Sequence, residues 1–329
     1  MRAGDFLKLA RSVLLLALCL APASSRAEDA LSLTPRVFPV GRWAEGLVVT
    51  PGAIWVAESG QRSIAALDPE SGVVKRRVTV GRLPVGMVVT PQGAVATLVQ
   101  TDKKIWLQPA KDGKGRALTR LVGCPEAIAS GGAFLWVLTL PACSSVESRV
   151  IRVDPRTGAR AESPILPQWG LALAVAGESV WVANGKPPVL SVVDAKTLAA
   201  RTVDVPDASL WAIVAAHGRI FVGGRHGGDN DRGLVASIDP ASGEVRRLQD
   251  VDQRIAVLAV DDRSLVAIGE KGKIWVLAPE TLELLRTVTL TTGDFQPRAA
   301  ALRDEKLYLT SQQQQGENGA VLVLSGWRP

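Results

Sequence analysis

The chain has 329 residues, 47% of them hydrophobic, with 38 Lys and Arg against 32 Asp and Glu and a formal net charge of +6. That balance lacks the dense positive field an obligatory nucleic-acid partner requires. Two histidines and three cysteines leave little material for a zinc site.

The first element in chain order is a secretory signal. Arg2, Lys8 and Arg11 precede an apolar run at residues 13–20 and small residues at 21–27, with Ser25 and Ala27 at the −3 and −1 positions of a cleavage site. The expected division is a signal peptide over residues 1–27 and a single domain over 28–329. Cleavage removes four basic residues and one acidic residue, leaving 34 against 31. No later stretch is long and apolar enough to span a bilayer. The expected location is periplasmic or secreted, and the expected state is a monomer.

Beyond the signal, Gly52-Ala53-Ile54-Trp55-Val56-Ala57-Glu58 is a template that recurs. Trp55, Ala96, Trp136, Trp181, Phe221, Val266 and Tyr308 occupy matching positions, at intervals of 41, 40, 45, 40, 45 and 42 residues. That is the length of a four-stranded propeller blade, and seven copies fill the chain. Each template is followed by a turn. Asp68-Pro69-Glu70-Ser71-Gly72, Asp154-Pro155-Arg156-Thr157-Gly158 and Asp239-Pro240-Ala241-Ser242-Gly243 are its full forms, with looser ones beginning at Asp194 and Ala278. Asp accepts backbone hydrogen bonds, Pro presets φ, and Gly takes the left-handed conformation that closes the hairpin. With short β-branched runs between the turns and no amphipathic helical stretch, the fold class is all-β, a seven-bladed β-propeller.

The last copy stops after a third strand at residues 320–324. Arg36-Val37-Phe38-Pro39-Val40-Gly41-Arg42 is similar to Arg77-Val78-Thr79-Val80-Gly81-Arg82, the outermost strand of the first full copy. Residues 33–40 are therefore expected to pair with 320–324 and close the last blade.

Trp55-Val56-Ala57-Glu58, Ile64, Leu67-Asp68-Pro69 and the Val-Val-Thr-Pro runs at 48–51 and 88–91 resemble the repeats of YncE-like, YVTN-repeat β-propellers and the related virginiamycin B lyase propellers. The resemblance covers residues 33–326. It implies an exported binding or scaffold protein, and the mixed aromatic and ionic loop face suits a protein, peptide or small-molecule ligand.

A catalytic reading finds few residues to use. His226 lies in the longest loop of the fifth copy, Glu270 in the corresponding loop of the sixth, and the two would serve a metal-dependent lyase or lactonase of the streptogramin lyase type. Asp229 and Asp231 are weak candidates for a metal, without the spacing of a calcium loop. The turns lack the following Trp of quinone-dependent repeats, so no cofactor is expected. Trp55, Trp136 and Trp181 read as core. Trp43, Trp169 and Trp211 fall where one copy hands over to the next, either as an apolar rim or as caps on the blade junctions. Arg42, Glu45, Arg82, Glu126, Arg254 and Arg298 share those connections. Together these nine are the candidate ligand-binding face. Cys124 and Cys143 fall in two loops of one copy on that face and are expected to form a disulfide.

Overall fold

The structure is a computed structural model that describes residues 30–111, 113–227, 232–248, 251–291, 296–312 and 318–329. The expected signal segment and the candidate metal ligands Asp229 and Asp231 lie outside these residues.

Seven four-stranded antiparallel units form a ring; in blades 1 to 6 each strand is hydrogen-bonded to the next in sequence, and blade 7 takes its outermost strand from the amino-terminal segment. Blade 1 shows the logic. Its second and third strands, Ala53–Glu58 and Ser63–Leu67, are buried along their whole length. Its outermost strand, Val74–Thr79, alternates half-buried and exposed residues. Central strands packed on both faces need continuous apolar runs, whereas an edge facing water needs a period of two. Trp55, Trp136 and Trp181 are each 1% exposed and fill the space between blades.

The turn after the third strand forms as expected in blades 1, 3, 4, 5 and 6. The Asp68 Oδ1 accepts the Glu70 and Ser71 N–H groups at 3.0 and 2.8 Å, and the Asp239 Oδ1 those of Ala241 and Ser242 at 2.8 and 3.0 Å. Gly72 and Gly243 close them at φ 73° and 75°. In the looser copies Leu198 and Leu282 hold the same left-handed position, at φ 63° and 62°.

Closure differs from expectation in one respect. Arg36–Val40 pairs antiparallel with Gly319–Leu324, from Arg36 opposite Val323 to Val40 opposite Gly319, and supplies the fourth strand of blade 7. Leu33, expected in that strand, belongs instead to Leu31–Leu33, which pairs parallel with the outermost strand of blade 6. Leu31 and Leu33 pack on the apolar cluster shared by blades 6 and 7, while Phe38 and Val40 pack in that of blades 7 and 1. The amino-terminal segment thus ties three blades, not two. The carboxyl terminus adds another tie, because Trp327 is fully buried and its indole N–H donates to the Glu305 carbonyl at 3.2 Å.

One buried ion fixes the start of the ring. Glu58 is fully buried and accepts the Gly41 N–H at 2.7 Å, the Ser63 hydroxyl at 2.8 Å, and Nε and Nη2 of Arg77 at 2.7 and 2.8 Å. Burial pushes this carboxyl up, but the donors from Arg77, Ser63 and Gly41 outweigh it and hold the group below the ordinary glutamate value. Since Gly41 directly follows the closing strand, Glu58 clamps that strand to blade 1.

Two outcomes follow from closure. Deleting residues 30–40 removes both tying strands and should lower the Tm by about 10 °C; an unchanged Tm in a thermal melt would refute the closure. Glu58→Ala should lower unfolding free energy in urea by about 3 kcal/mol. Because the folded carboxyl value is depressed, its contribution is complete above the unfolded value and disappears as pH falls through the folded one. The variant should lack that part of the acid-side decline; parallel stability–pH curves would contradict the clamp.

Candidate functional site

The innermost strands are Ala44–Thr50, Pro84–Val89, Cys124–Gly131, Gly170–Ala176, Ala208–Ala216, Ile255–Val260 and Gln296–Arg303. Each packs on the next around the axis, the seventh against the first. All seven carry a β-bulge at the same point, just after the strand enters the ring. The register shifts fall between Ala44 and Leu47, Pro84 and Met87, Pro125 and Ala127, Gly170 and Ala172, Leu210 and Ala212, Ile255 and Val257, and Pro297 and Ala299. A bulge adds one residue and re-aims its side chain out of the ladder. The positions so displaced are Glu45, Val85, Glu126, Leu171, Trp211, Ala256 and Arg298, one per blade.

A small residue follows each of them, and packing explains why. A Cβ on Gly46 would stand 2.2 Å from the Val85 carbonyl oxygen, and one on Gly86 2.9 Å from Cγ2 of Ile128. Ala or Val takes the place in the other blades. The pattern of a ring residue and then a small one is the signal that could have located all seven positions. Sequence reasoning found Glu45, Glu126, Trp211 and Arg298 and missed Val85, Leu171 and Ala256.

Four consecutive ring positions, Trp211, Ala256, Arg298 and Glu45 in blades 5, 6, 7 and 1, line a pocket of about 680 Å³. Arg254, Glu270 and Lys271 also line it. Two or more residues farther along the same strands, Leu47, Met87, Ile128, Leu173, Ile213 and Leu258 help to line a second cavity of about 470 Å³ along the axis. The first pocket is therefore the mouth of the channel.

The mouth is a frame of paired charges. Arg254 Nη2 lies 2.7 Å from a Glu270 oxygen, and its guanidinium stands 5.1 Å from the Trp211 ring centre. Arg225 stands 5.2 Å from the same ring. Glu45 accepts from Gln312 Nε2 at 2.7 Å, Arg298 Nη2 donates to Gln312 Oε1 at 3.1 Å, and the Arg298 and Glu45 charges are 3.9 Å apart. Burial pushes the Glu45 carboxyl up, against the pull of Arg298 and Gln312. Glu126, in blade 3, has no hydrogen-bond or ion-pair partner among the described residues. Burial raises its carboxyl too.

The other expected face residues are placed less centrally. Trp43 and Trp169 are 51% and 43% exposed and do not line the mouth pocket. Arg82 pairs with Asp102 at 2.8 Å within blade 2. The Arg42 carbonyl accepts the Gly60 N–H at 3.0 Å, which seats the connection ahead of blade 1. His226 and Glu270 both stand at the ends of second strands, but only Glu270 lines the pocket. The His226 Nδ1 is 3.3 Å from the carbonyl of its neighbour Gly227. Among the described residues no group of three or more His, Cys, Asp or Glu is placed to hold a metal ion.

No protein-family model and no curated protein matches the chain. Solved structures do. Virginiamycin B lyase from Staphylococcus aureus is 12% identical with a TM-score of 0.71, covering 88% of this chain and 99% of that one. The WD40 repeats of RRP9 are 15% identical with a TM-score of 0.69, covering 90% and 99%. Kuenenia stuttgartiensis hydrazine synthase is 14% identical with a TM-score of 0.68, covering 88% and 97%. At such identities the likeness establishes the propeller fold, which serves both enzymes and scaffolds. The narrower YncE-like grouping rests on the repeat residues alone.

Cys124, at the start of the blade 3 inner strand, is bonded to Cys143 with their Cα atoms 5.0 Å apart. The bond pins the loop at residues 141–148 beside Glu126. Ser148 and Leu166 then bridge this loop to the connection entering blade 4, exchanging hydrogen bonds of 2.9 and 2.8 Å. Without reductant, alkylation of denatured protein should leave both thiols unmodified by intact mass. Reduction should cost about 3 kcal/mol of stability. Modification before reduction would refute the bond.

Proposed function

We propose that this chain is an exported binding or scaffold propeller, with no catalytic set of its own, that takes a protein, peptide or polar small ligand at the mouth of its channel. The observation that carries this reading is the bulge ring. It displaces one residue per blade from the ladder, and four of the seven line a single pocket, an aromatic residue among them. Preformed polar groups around an aromatic anchor are the anatomy of a recognition site. Arg254 with Glu270, and Glu45 with Gln312 and Arg298, hold one another in place. General acid–base work instead needs a titratable group poised toward substrate. Neither histidine touches a carboxylate among the described residues: the His217 Nε2 lies 2.9 Å from the Asp261 carbonyl oxygen, and His226 contacts its own loop. The Cys124–Cys143 bond supports export, since such bonds persist in oxidising compartments.

The test is recovery of bound material from the native host with three tagged forms. Wild type and Lys75→Ala, altered on the opposite face, should retain the same partner or ligand. Trp211→Ala should lose it about tenfold or more. Equal recovery by all three would sink the proposal. Mg²⁺-dependent lyase or lactonase turnover abolished by His226→Ala would replace it with the enzymatic reading.

A further inference from the structure

We infer that the mouth pocket selects a small organic monocarboxylate with an apolar body, which rests on the reading of the mouth as the binding site. Three cations line the pocket, Arg254, Lys271 and Arg298, against two carboxylates, Glu45 and Glu270. Arg254 is neutralised by Glu270 at 2.7 Å, and Arg298 faces Glu45 at 3.9 Å. Lys271 is left over. Its ammonium has no hydrogen-bond or ion-pair partner among the described residues.

The Lys271 backbone is nonetheless held, because its N–H donates to Gln253 Oε1 at 3.0 Å while the neighbouring Glu270 N–H donates to the Arg254 carbonyl at 3.1 Å. The loop presents the ammonium at the rim from a fixed anchor. One surplus positive charge matches one negative charge on the ligand. A dianion would place its second charge against Glu45 and Glu270 with nothing to balance it, and a cation would meet Lys271 head on.

Carboxylate oxygens are suited to the Lys271 ammonium and to the Nη groups of Arg254. The remaining lining is Gln296 with the apolar Trp211, Ala256 and Pro297, and these three suit a ring or short hydrocarbon body. A volume of about 680 Å³ accommodates a small organic molecule.

Four probes of one shape and different charge test this by calorimetry and saturation-transfer NMR on the intact protein: phenylacetate, phenylacetamide, phenyl phosphate and phenethylammonium. Phenylacetate should bind at least about tenfold more tightly than the other three, and Lys271→Ala should remove about that factor. Lys271→Glu should abolish its binding with an unchanged thermal melt, since the side chain is exposed. Equal binding of phenylacetamide, unchanged binding in Lys271→Glu, or no binding of phenylacetate would overturn the inference. Tighter binding of phenyl phosphate or phenethylammonium that Trp211→Ala abolishes would overturn the ligand class yet leave the mouth as the binding site. A probe whose binding survives Trp211→Ala would count against both.

Discussion

The molecule depends on how closely seven strands can approach a common axis. Each innermost strand packs on the next, and the ring admits no bulky side chain at the point of nearest approach, where Gly46 and Gly86 leave no room for a Cβ. Interiors are packed densely enough that an added carbon would collide with the Val85 backbone at Gly46 and with the Ile128 side chain at Gly86. The extra residue of the bulge is forced out in the only direction left, toward the channel mouth. Fold and proposed recognition surface therefore share a cause, because the same packing that closes the ring places Glu45, Trp211 and Arg298 at the mouth pocket.

Seven-fold architecture does not give a seven-fold mouth. Val85 and Leu171 flank Glu126 on one side of the ring, while Trp211, Arg298 and Glu45 occupy the other with Arg254 and Glu270 behind them. Strand backbone is equivalent from blade to blade, so this asymmetry lies wholly in side chains. A repeat protein acquires a specific site in this way, by varying the one position per repeat that packing leaves free.

The period of the template, the Asp-Pro turns and the missing fourth strand were legible in the sequence because each depends on local chemistry or on counting. The pairing of Cys124 with Cys143 was legible for the same reason, since two cysteines in loops of one blade have one another as neighbours. Other features depend on contacts between distant segments. Leu31–Leu33 carries too few residues to show a preference for a parallel edge on blade 6. Glu58 looked like part of a repeat motif, and its role emerges only when Gly41 and Arg77 converge on it. Each bulge is marked in the sequence only by the small residue that follows it, which is why charged and aromatic ring positions were picked out and Val85, Leu171 and Ala256 were not.

Ion pairs do two different jobs here, and burial separates them. Glu58 is wholly removed from water, so its partners are obligatory: losing one strands a charge in the interior. The Arg254 and Glu270 side chains are 40% and 33% exposed, and a pair in that setting contributes at most about 1 kcal/mol to folding. Folding alone therefore gives little reason to place Arg254, Glu270, Gln312 and Arg298 so that each holds another. What the arrangement does achieve is to fix the orientation of groups that water would otherwise let wander, and fixed polar groups bind without the entropic loss of ordering them. The mouth holds its orientation because its charges are engaged with one another, and the selectivity proposed for it rests on Lys271, which is unpaired among the described residues.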